Sequence, residues 1–375
     1  MRTHQRLTSL LLILFFVSSC TNNLPATPTA SAEAQDTPAS TGEAELTPIN
    51  LPVGYGVRGP WFDLYFTDPA NPVSSQGTGG VDGPLVEAID AARLSIDVAA
   101  YSLSLNSVRY ALIRAHDRGV EVRVVMESTN MDRSDPQKMV EAGIPIIGDN
   151  LDGLMHDKFM VIDRSEVWMG SMNFTDAGAY DDNNNLFRIR SAKMAENYTK
   201  EFEEMFNDNK FGPNVVPETP YPHLTIDGTE VDTYFSPDDG VLNALVPLLN
   251  GAEHSIYFLA YSFTSNELGD IVRQKAEAGL DVKGVMDAGQ VASNQGTEYD
   301  PFKQAGMNVR LDGNEGLMHH KVFVIDGKIV AFGSYNFSKS AEENNDENLI
   351  VVYSEPLAQQ FIQEFYRVWN QAPGE

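Results

Sequence analysis

Two short stretches of this chain repeat one arrangement of ionisable side chains. The first reads Met155-His156-Asp157-Lys158 and runs through apolar residues to Asp163; the second reads Met318-His319-His320-Lys321 and runs to Asp326. Histidine titrates near neutral pH, so an imidazole there can serve as nucleophile, acid or base. A lysine two residues on adds a compact positive charge suited to an anionic group. The filling between lysine and aspartate, Phe159-Met160-Val161-Ile162 and Val322-Phe323-Val324-Ile325, reads as strand,. On a strand, residues i and i+2 share a face. His156 and Lys158 therefore point together, as do His319 and Lys321, while His320 points away and falls outside the chemistry. Residues 170–175 and 333–338 follow as Gly-Ser-x-Asn-Phe-Thr/Ser, with small residues that admit a ligand and amide donors at Asn173 and Asn336. Asp163 and Asp326 close the motif at the far strand ends, where a turn contact or ion pair competes with a catalytic role.

These residues sit inside a long internal repeat. Residues 85–126 match 245–286 at an offset of 160, and from His156 and His319 onward the offset is 163. Each copy opens with an amphipathic helix (Leu85, Val86, Ile89, Ala92; Leu245, Val246, Leu249, Ala252). A strand ending in Ala-Tyr-Ser follows, then a helix closed by Gly119 or Gly279, then a second strand,. Strands joined through a helix pair in parallel with a right-handed crossover. The pattern predicts an α/β fold of two tandem repeats, at 51–212 and 229–375 with a Pro-rich linker at 213–228. Each would have a mixed, mostly parallel sheet flanked by helices, and the two would pack about a pseudo-two-fold axis. The helices containing Phe202 and Phe361 are expected to pack into the core. The Gly- and Ser-rich segment 67–82 has no counterpart of equal length in the second copy and is expected to form a mobile entrance loop.

The paired motif, its Asn loops and the openings at 234–237 and 260–264 resemble the phospholipase D superfamily over roughly residues 60–375, closest to its short bacterial endonuclease-like members. That resemblance implies one shared active site that cleaves a phosphodiester without a metal or organic cofactor. One imidazole attacks phosphorus to give a phosphohistidine, and the other protonates the departing alcohol and later activates water. Lys158, Lys321, Asn173 and Asn336 would steady the phosphoryl oxygens, and Asp163 and Asp326 complete the family signature. The second copy carries the family's Asn-x-Glu pattern at Asn345-Asp346-Glu347, whereas the first has Asn184 where Glu347 stands. In relatives this position contacts the histidine of the opposite half. The resemblance thus implies that Glu347 holds His156 as nucleophile and leaves His319 as acid and base.

Charge and targeting bear on the substrate. The 375 residues carry 26 Lys and Arg against 53 Asp and Glu, a net charge of −27. A protein gripping nucleic acid over many phosphates usually shows a basic face. The N-terminus has Arg2 and Arg6, an apolar run from Leu10 to Val17 and then Val17-Ser18-Ser19-Cys20, with Cys20 the only cysteine. This resembles a bacterial lipoprotein signal cut before a lipidated cysteine, and implies an exported protein held to the membrane surface through Cys20. Residues 20–50 lack an aromatic side chain and read as a flexible tether,. Tether and acidity favour a phospholipid substrate, cleaved to phosphatidate and head group. A cell-surface nuclease is the alternative, if Arg188 and Arg190 form a basic rim, and a catalytically idle binding module is the third reading. With both half-sites in one chain, a monomer can act without a protein partner.

Overall fold

The computed structural model describes residues 46–149 and 152–373, so the leader, Cys20 and nearly all of the expected tether lie outside the described residues. In the first repeat the strands are β1 (Thr47–Asn50), β2 (Tyr55–Arg58), β3 (Phe62–Phe66), β4 (Ser95–Ala100), β5 (Glu121–Met126), β6 (Ile146–Gly148), β7 (Lys158–Ile162), β8 (Glu166–Gly170) and β9 (Asn185–Arg190). Its helices are α1 (Asp82–Ala91), α2 (Asn106–Asp117), α3 (Ser134–Glu141), α4 (Asp176–Tyr180) and α5 (Ala192–Asp208). The second repeat contributes β10 (His223–Ile226), β11 (Thr229–Ser236), β12 (Ser255–Ala260), β13 (Asp281–Met286), β14 (Asn308–Leu311), β15 (Lys321–Ile325), β16 (Ile329–Gly333) and β17 (Glu347–Tyr353). Its helices are α6 (Val241–Asn250), α7 (Asn266–Glu277), α8 (Ala288–Ser293), α9 (Tyr299–Gln304), α10 (Lys339–Glu343) and α11 (Glu355–Gln371).

The first sheet runs β1-β2-β3-β9-β8-β7-β4-β5-β6 and the second β10-β11-β17-β16-β15-β12-β13-β14. Both are mixed and helix-flanked, as the repeat predicts, but the expectation of mostly parallel pairing is corrected. Parallel pairing is confined to β4-β5-β6 and β12-β13-β14, the strands joined through helices, and every other pair is antiparallel. The cause lies in tight turns after the motif strands. Asp163-Arg164 and Asp326-Gly327 all have positive φ, the left-handed conformation of short hairpin turns, and they fold β7 onto β8 and β15 onto β16. Two boundaries also move. Thr47–Asn50 pairs with β2 within the stretch read as tether, and His223–Ile226 pairs with β11 within the stretch read as linker.

Strand alternation sorts side chains into three cores. Val98, Val124 and Met160 face α1 and α2 on the outer side of the first sheet, and Phe258, Phe323 and Ile325 face α6 and α7 on the outer side of the second. Phe159, Val161, Val322 and Val324 face inward into a shared core with α5 and α11. There Phe187 of one sheet meets Phe332 of the other, with ring centroids 5.1 Å apart. Ser191 and Ser354 cap the two long helices by accepting from Met194 and Leu357 N–H, each worth about 1 kcal/mol. Gly119 and Gly279, at φ 89° and 94°, end the runs of α2 and α7 as expected. Phe202, Phe361 and Phe365 fill the shared core, each contributing roughly 1.5–3 kcal/mol of burial.

Candidate active site

The motif residues gather at one end of both sheets. Lys158 opens β7, Tyr101 follows β4, Ser171 follows β8, and Asn184 precedes β9. Two short bridges cross between the halves and exchange the same contacts in both directions. Met155 pairs with Asp346 and Asn183 with Met318. His156 N–H donates to the Asp346 carbonyl at 2.9 Å, and His319 N–H donates to the Asn183 carbonyl at 3.0 Å. This reciprocity is what a pseudo-two-fold interface requires, and it fixes each histidine backbone against the opposite repeat.

The imidazoles are held across the same interface. His156 Nδ1 lies 2.7 Å from Glu347 Oε2, and His319 Nδ1 lies 3.0 Å from Asn184 Oδ1. Asn184 is locked in that orientation because its Nδ2 donates to the Gly178 carbonyl at 2.9 Å and its Oδ1 also accepts from Ser171 Oγ at 2.8 Å. An amide oxygen facing Nδ1 requires a proton on that nitrogen, which leaves Nε2 of His319 unprotonated in the neutral ring. Lys158 and Lys321 donate to the carbonyls of His156 and His319, at 2.5 and 2.7 Å. The lysine nitrogens also lie over the rings of Tyr101 and Tyr261, at 5.0 and 4.6 Å from the centroids. The same tyrosines meet the histidines edge-on at 5.0 and 4.6 Å.

Burial dominates the electrostatics. It pushes His156 and His319 well below the ordinary imidazole value, and the two lysines beside them push the same way. It lowers Lys158 to about 7 against the attraction of Glu347 and Asp157, and lowers Lys321 strongly, with Lys158 adding to the effect. It raises Glu347 to about 7 against the pull of Lys158. The site therefore resists carrying several net charges, and a phosphodiester anion favours the protonated forms of lysine and histidine.

The other expected site residues fall in distinct places. Asn173 and Asn336 stand on the loops after β8 and β16, each with a buried amide oxygen lacking a hydrogen-bond partner. Asp163 and Asp326 lie at the opposite strand ends. Asp163 accepts from the N–H groups of Arg93, Leu94 and Ser95, and Asp326 from those of Glu253, His254 and Ser255. They fasten the start of β4 and of β12, which corrects the expectation of a catalytic position. His320 is buried away from the cleft between Asn185 Oδ1 at 3.1 Å and Glu364 Oε1 at 2.8 Å. Arg188 and Arg190 form no basic rim: Arg188 pairs with Glu166 and both approach Asp63, toward the far end of β9. Segment 67–82, expected to be mobile, is tied to the first repeat. Thr67 Oγ1 donates to the Asp182 carbonyl at 2.7 Å, Ser74 to that of Tyr180, and Tyr180 OH to Asp82 at 2.5 Å. Sequence reading missed Tyr101 and Tyr261. Their Ala-Tyr-Ser setting in both repeats was visible, but ring placement beside lysine and histidine follows only from the sheet pairing.

Among the described residues no group of three His, Cys, Asp or Glu is arranged to hold a metal ion, and no helix is long and apolar enough to cross a membrane. The family described as cardiolipin synthase, PLD-like domain, matches residues 85–206 and 245–369. The chain is 32% identical over 129 residues to a mitochondrial cardiolipin hydrolase of Chlamydomonas reinhardtii, covering 34% of this chain and 57% of that protein. It is 30% identical over 168 residues to a phospholipase D of Rickettsia typhi, covering 44% of this chain and 80% of that protein. The chain spans about half the length of the cardiolipin hydrolases it matches. In fold it is similar to a phosphatidylserine synthase of Haemophilus influenzae, with a TM-score of 0.59 at 13% identity over 78% of this chain and 85% of that one.

Proposed function

Since this chain belongs to the cardiolipin synthase, PLD-like domain family, we propose that it is a phosphodiester hydrolase of the phospholipase D type whose substrate is a phospholipid. The observation that carries the reading is the pair of imidazoles held at Nδ1 from opposite repeats, by Glu347 on one side and Asn184 on the other. Nε2 of His156 attacks phosphorus, and the bond from phosphorus to the head-group oxygen breaks. His319, protonated at Nε2 once the anion is bound, gives that proton to the departing alkoxide. Glu347 stabilises the positive charge on the phosphohistidine ring. Water then attacks phosphorus and passes a proton to His319, the P–N bond breaks, and phosphatidate and free His156 result. Lys158 and Lys321 neutralise the phosphoryl oxygens, and the amides of Asn173 and Asn336 add neutral donors.

The phospholipid choice is supported by the net charge of −27 and by the names of the relatives. The leader ending at Cys20 supports export and lipidation, which would hold the enzyme at a membrane surface. The test is turnover of phosphatidylcholine vesicles and of plasmid DNA, side by side in EDTA. Release of phosphatidate is expected, abolished by His156→Ala. Cleavage of DNA alone contradicts the substrate, and inertness towards both contradicts the activity.

A further inference from the structure

We infer that Leu154 and Leu317 form an apolar lip at the mouth of the cleft that receives the acyl–glycerol side of a zwitterionic phospholipid; the inference rests on the lipid reading above and names residues for it. The two leucines are related by the repeat, each two residues before a site histidine. Met155 and Met318, each a single-residue bridge, pack in the core between the sheets, whereas Leu154 and Leu317 before them are exposed. Leu154, His156 and Lys158 follow one another at two-residue steps, as do Leu317, His319 and Lys321. Exposure falls steeply along each arm: 36% for both leucines, 6% and 3% for the histidines, and 1% and 0% for the lysines. Each half of the cleft therefore grades from a charged floor to an apolar rim. A leucine two residues from the histidine lies at most about 7 Å from it along the chain, within the span of a lipid whose phosphorus sits at the imidazole.

The rim is built rather than loose. Leu154 N–H donates to Asn345 Oδ1 at 3.1 Å and its carbonyl accepts from Asp346 N–H at 2.9 Å. Leu317 N–H donates to Asp182 Oδ1 at 2.9 Å and its carbonyl accepts from Asn183 N–H at 2.8 Å. Every backbone polar group of both leucines is satisfied by the opposite repeat, and only the apolar side chain is left outward. One exposed leucine needs no explanation. Two in matching positions, each in register with a site histidine, mark a surface that meets something apolar.

Charge selects the occupant. The four segments that exchange these bonds, 152–155, 181–185, 312–318 and 344–348, contain seven Asp and Glu and no Lys or Arg. Asp152, Asp181 and Glu315 among them are exposed. A nucleic-acid strand or an anionic lipid surface would set its own charges against these carboxylates, whereas an ammonium head group complements them.

The experiment compares turnover of phosphatidylcholine vesicles with turnover of the soluble diester bis(p-nitrophenyl) phosphate by the full chain. Replacing both leucines, Leu154→Ser with Leu317→Ser, is expected to lower the vesicle-to-soluble turnover ratio at least tenfold, and Leu154→Phe with Leu317→Phe to restore it. The wild type is expected to prefer phosphatidylcholine to cardiolipin at least tenfold. A ratio within twofold of wild type in the serine variant, or a preference for cardiolipin, overturns the lip. Failure of the wild type on the soluble diester as well as on vesicles points instead to failure of the hydrolase reading.

Discussion

At the scale of single residues, the proposed division of labour rests on the difference between Asn184 and Glu347. Both positions hold an Nδ1 proton, but only the carboxylate stabilises a charged ring,. Asn184 leaves His319 with burial and two lysines pushing its proton affinity down, and nothing charged beside it to push back. His319 must be protonated to act as acid, so activity is lost on the alkaline side as its proton leaves. Asn184→Asp puts a carboxylate against Nδ1, which raises the affinity for that proton. The alkaline limb of kcat should then move to higher pH, while the acid limb, set at the His156–Glu347 pair, stays in place. An unmoved alkaline limb in that variant would remove His319 from the acid role. The histidines, the lysines and this asymmetry were legible in the sequence because motif spacing repeats at a fixed offset. The tyrosines were not, because a ring lying beside a lysine leaves no spacing signal. Asp163 and Asp326 were legible as motif members with a structural contact at the far strand ends, but not their partners, since the N–H groups they accept from lie about seventy residues away in the chain.

At the scale of elements, α11 fastens the two repeats behind the cleft. Its Glu364 accepts from Tyr55 of β2 at 2.5 Å, from Arg367, and pairs with His320 beside β15, while Arg367 also reaches Asn183 at 2.7 Å. Burial alone would raise the Glu364 carboxyl, but Arg367 and His320 outweigh it and hold the group at about 2. A lowered carboxyl adds stability that is present above its ordinary value of 4.5 and is lost as pH falls towards 2,. Glu364→Gln should lower unfolding free energy at neutral pH by about 3–5 kcal/mol, the usual cost of breaking a buried pair. It should also flatten the acid limb of the stability curve between pH 4.5 and 2. Denaturant unfolding at several pH values checks both, and a loss that is the same at every pH would contradict the ionised role. The helices and the parallel strands were readable from periodicity and helix-stop glycines. The antiparallel majority was not, although Asp326-Gly327 is a recognised hairpin turn signal; the parallel crossovers masked it because both features lie in the same repeat.

At the scale of the whole molecule, the chain carries both halves of its own interface. Contacts that would bind two subunits together are here covalently tethered, with reciprocal bonds at His156 and His319 and a shared aromatic core. Residues of both half-sites therefore lie in one chain, and we propose that one copy suffices. Specific activity should stay constant from nanomolar to micromolar enzyme, and a fall on dilution would show that a second copy is needed. The tandem repeat was legible from the two offsets of 160 and 163. Where the boundaries fall was less so, because short edge strands such as Thr47–Asn50 and His223–Ile226 have compositions close to those of the linkers around them.

We propose that the two halves are chemically unequal, with His156 bonding to phosphorus and His319 moving the proton. The most direct measurement is an alkaline quench of the enzyme turning over phosphate-labelled phospholipid, followed by peptide mapping of the covalent label. Label is expected on the peptide carrying His156 and none on that carrying His319. Label on His319, or equal label on both, would contradict it.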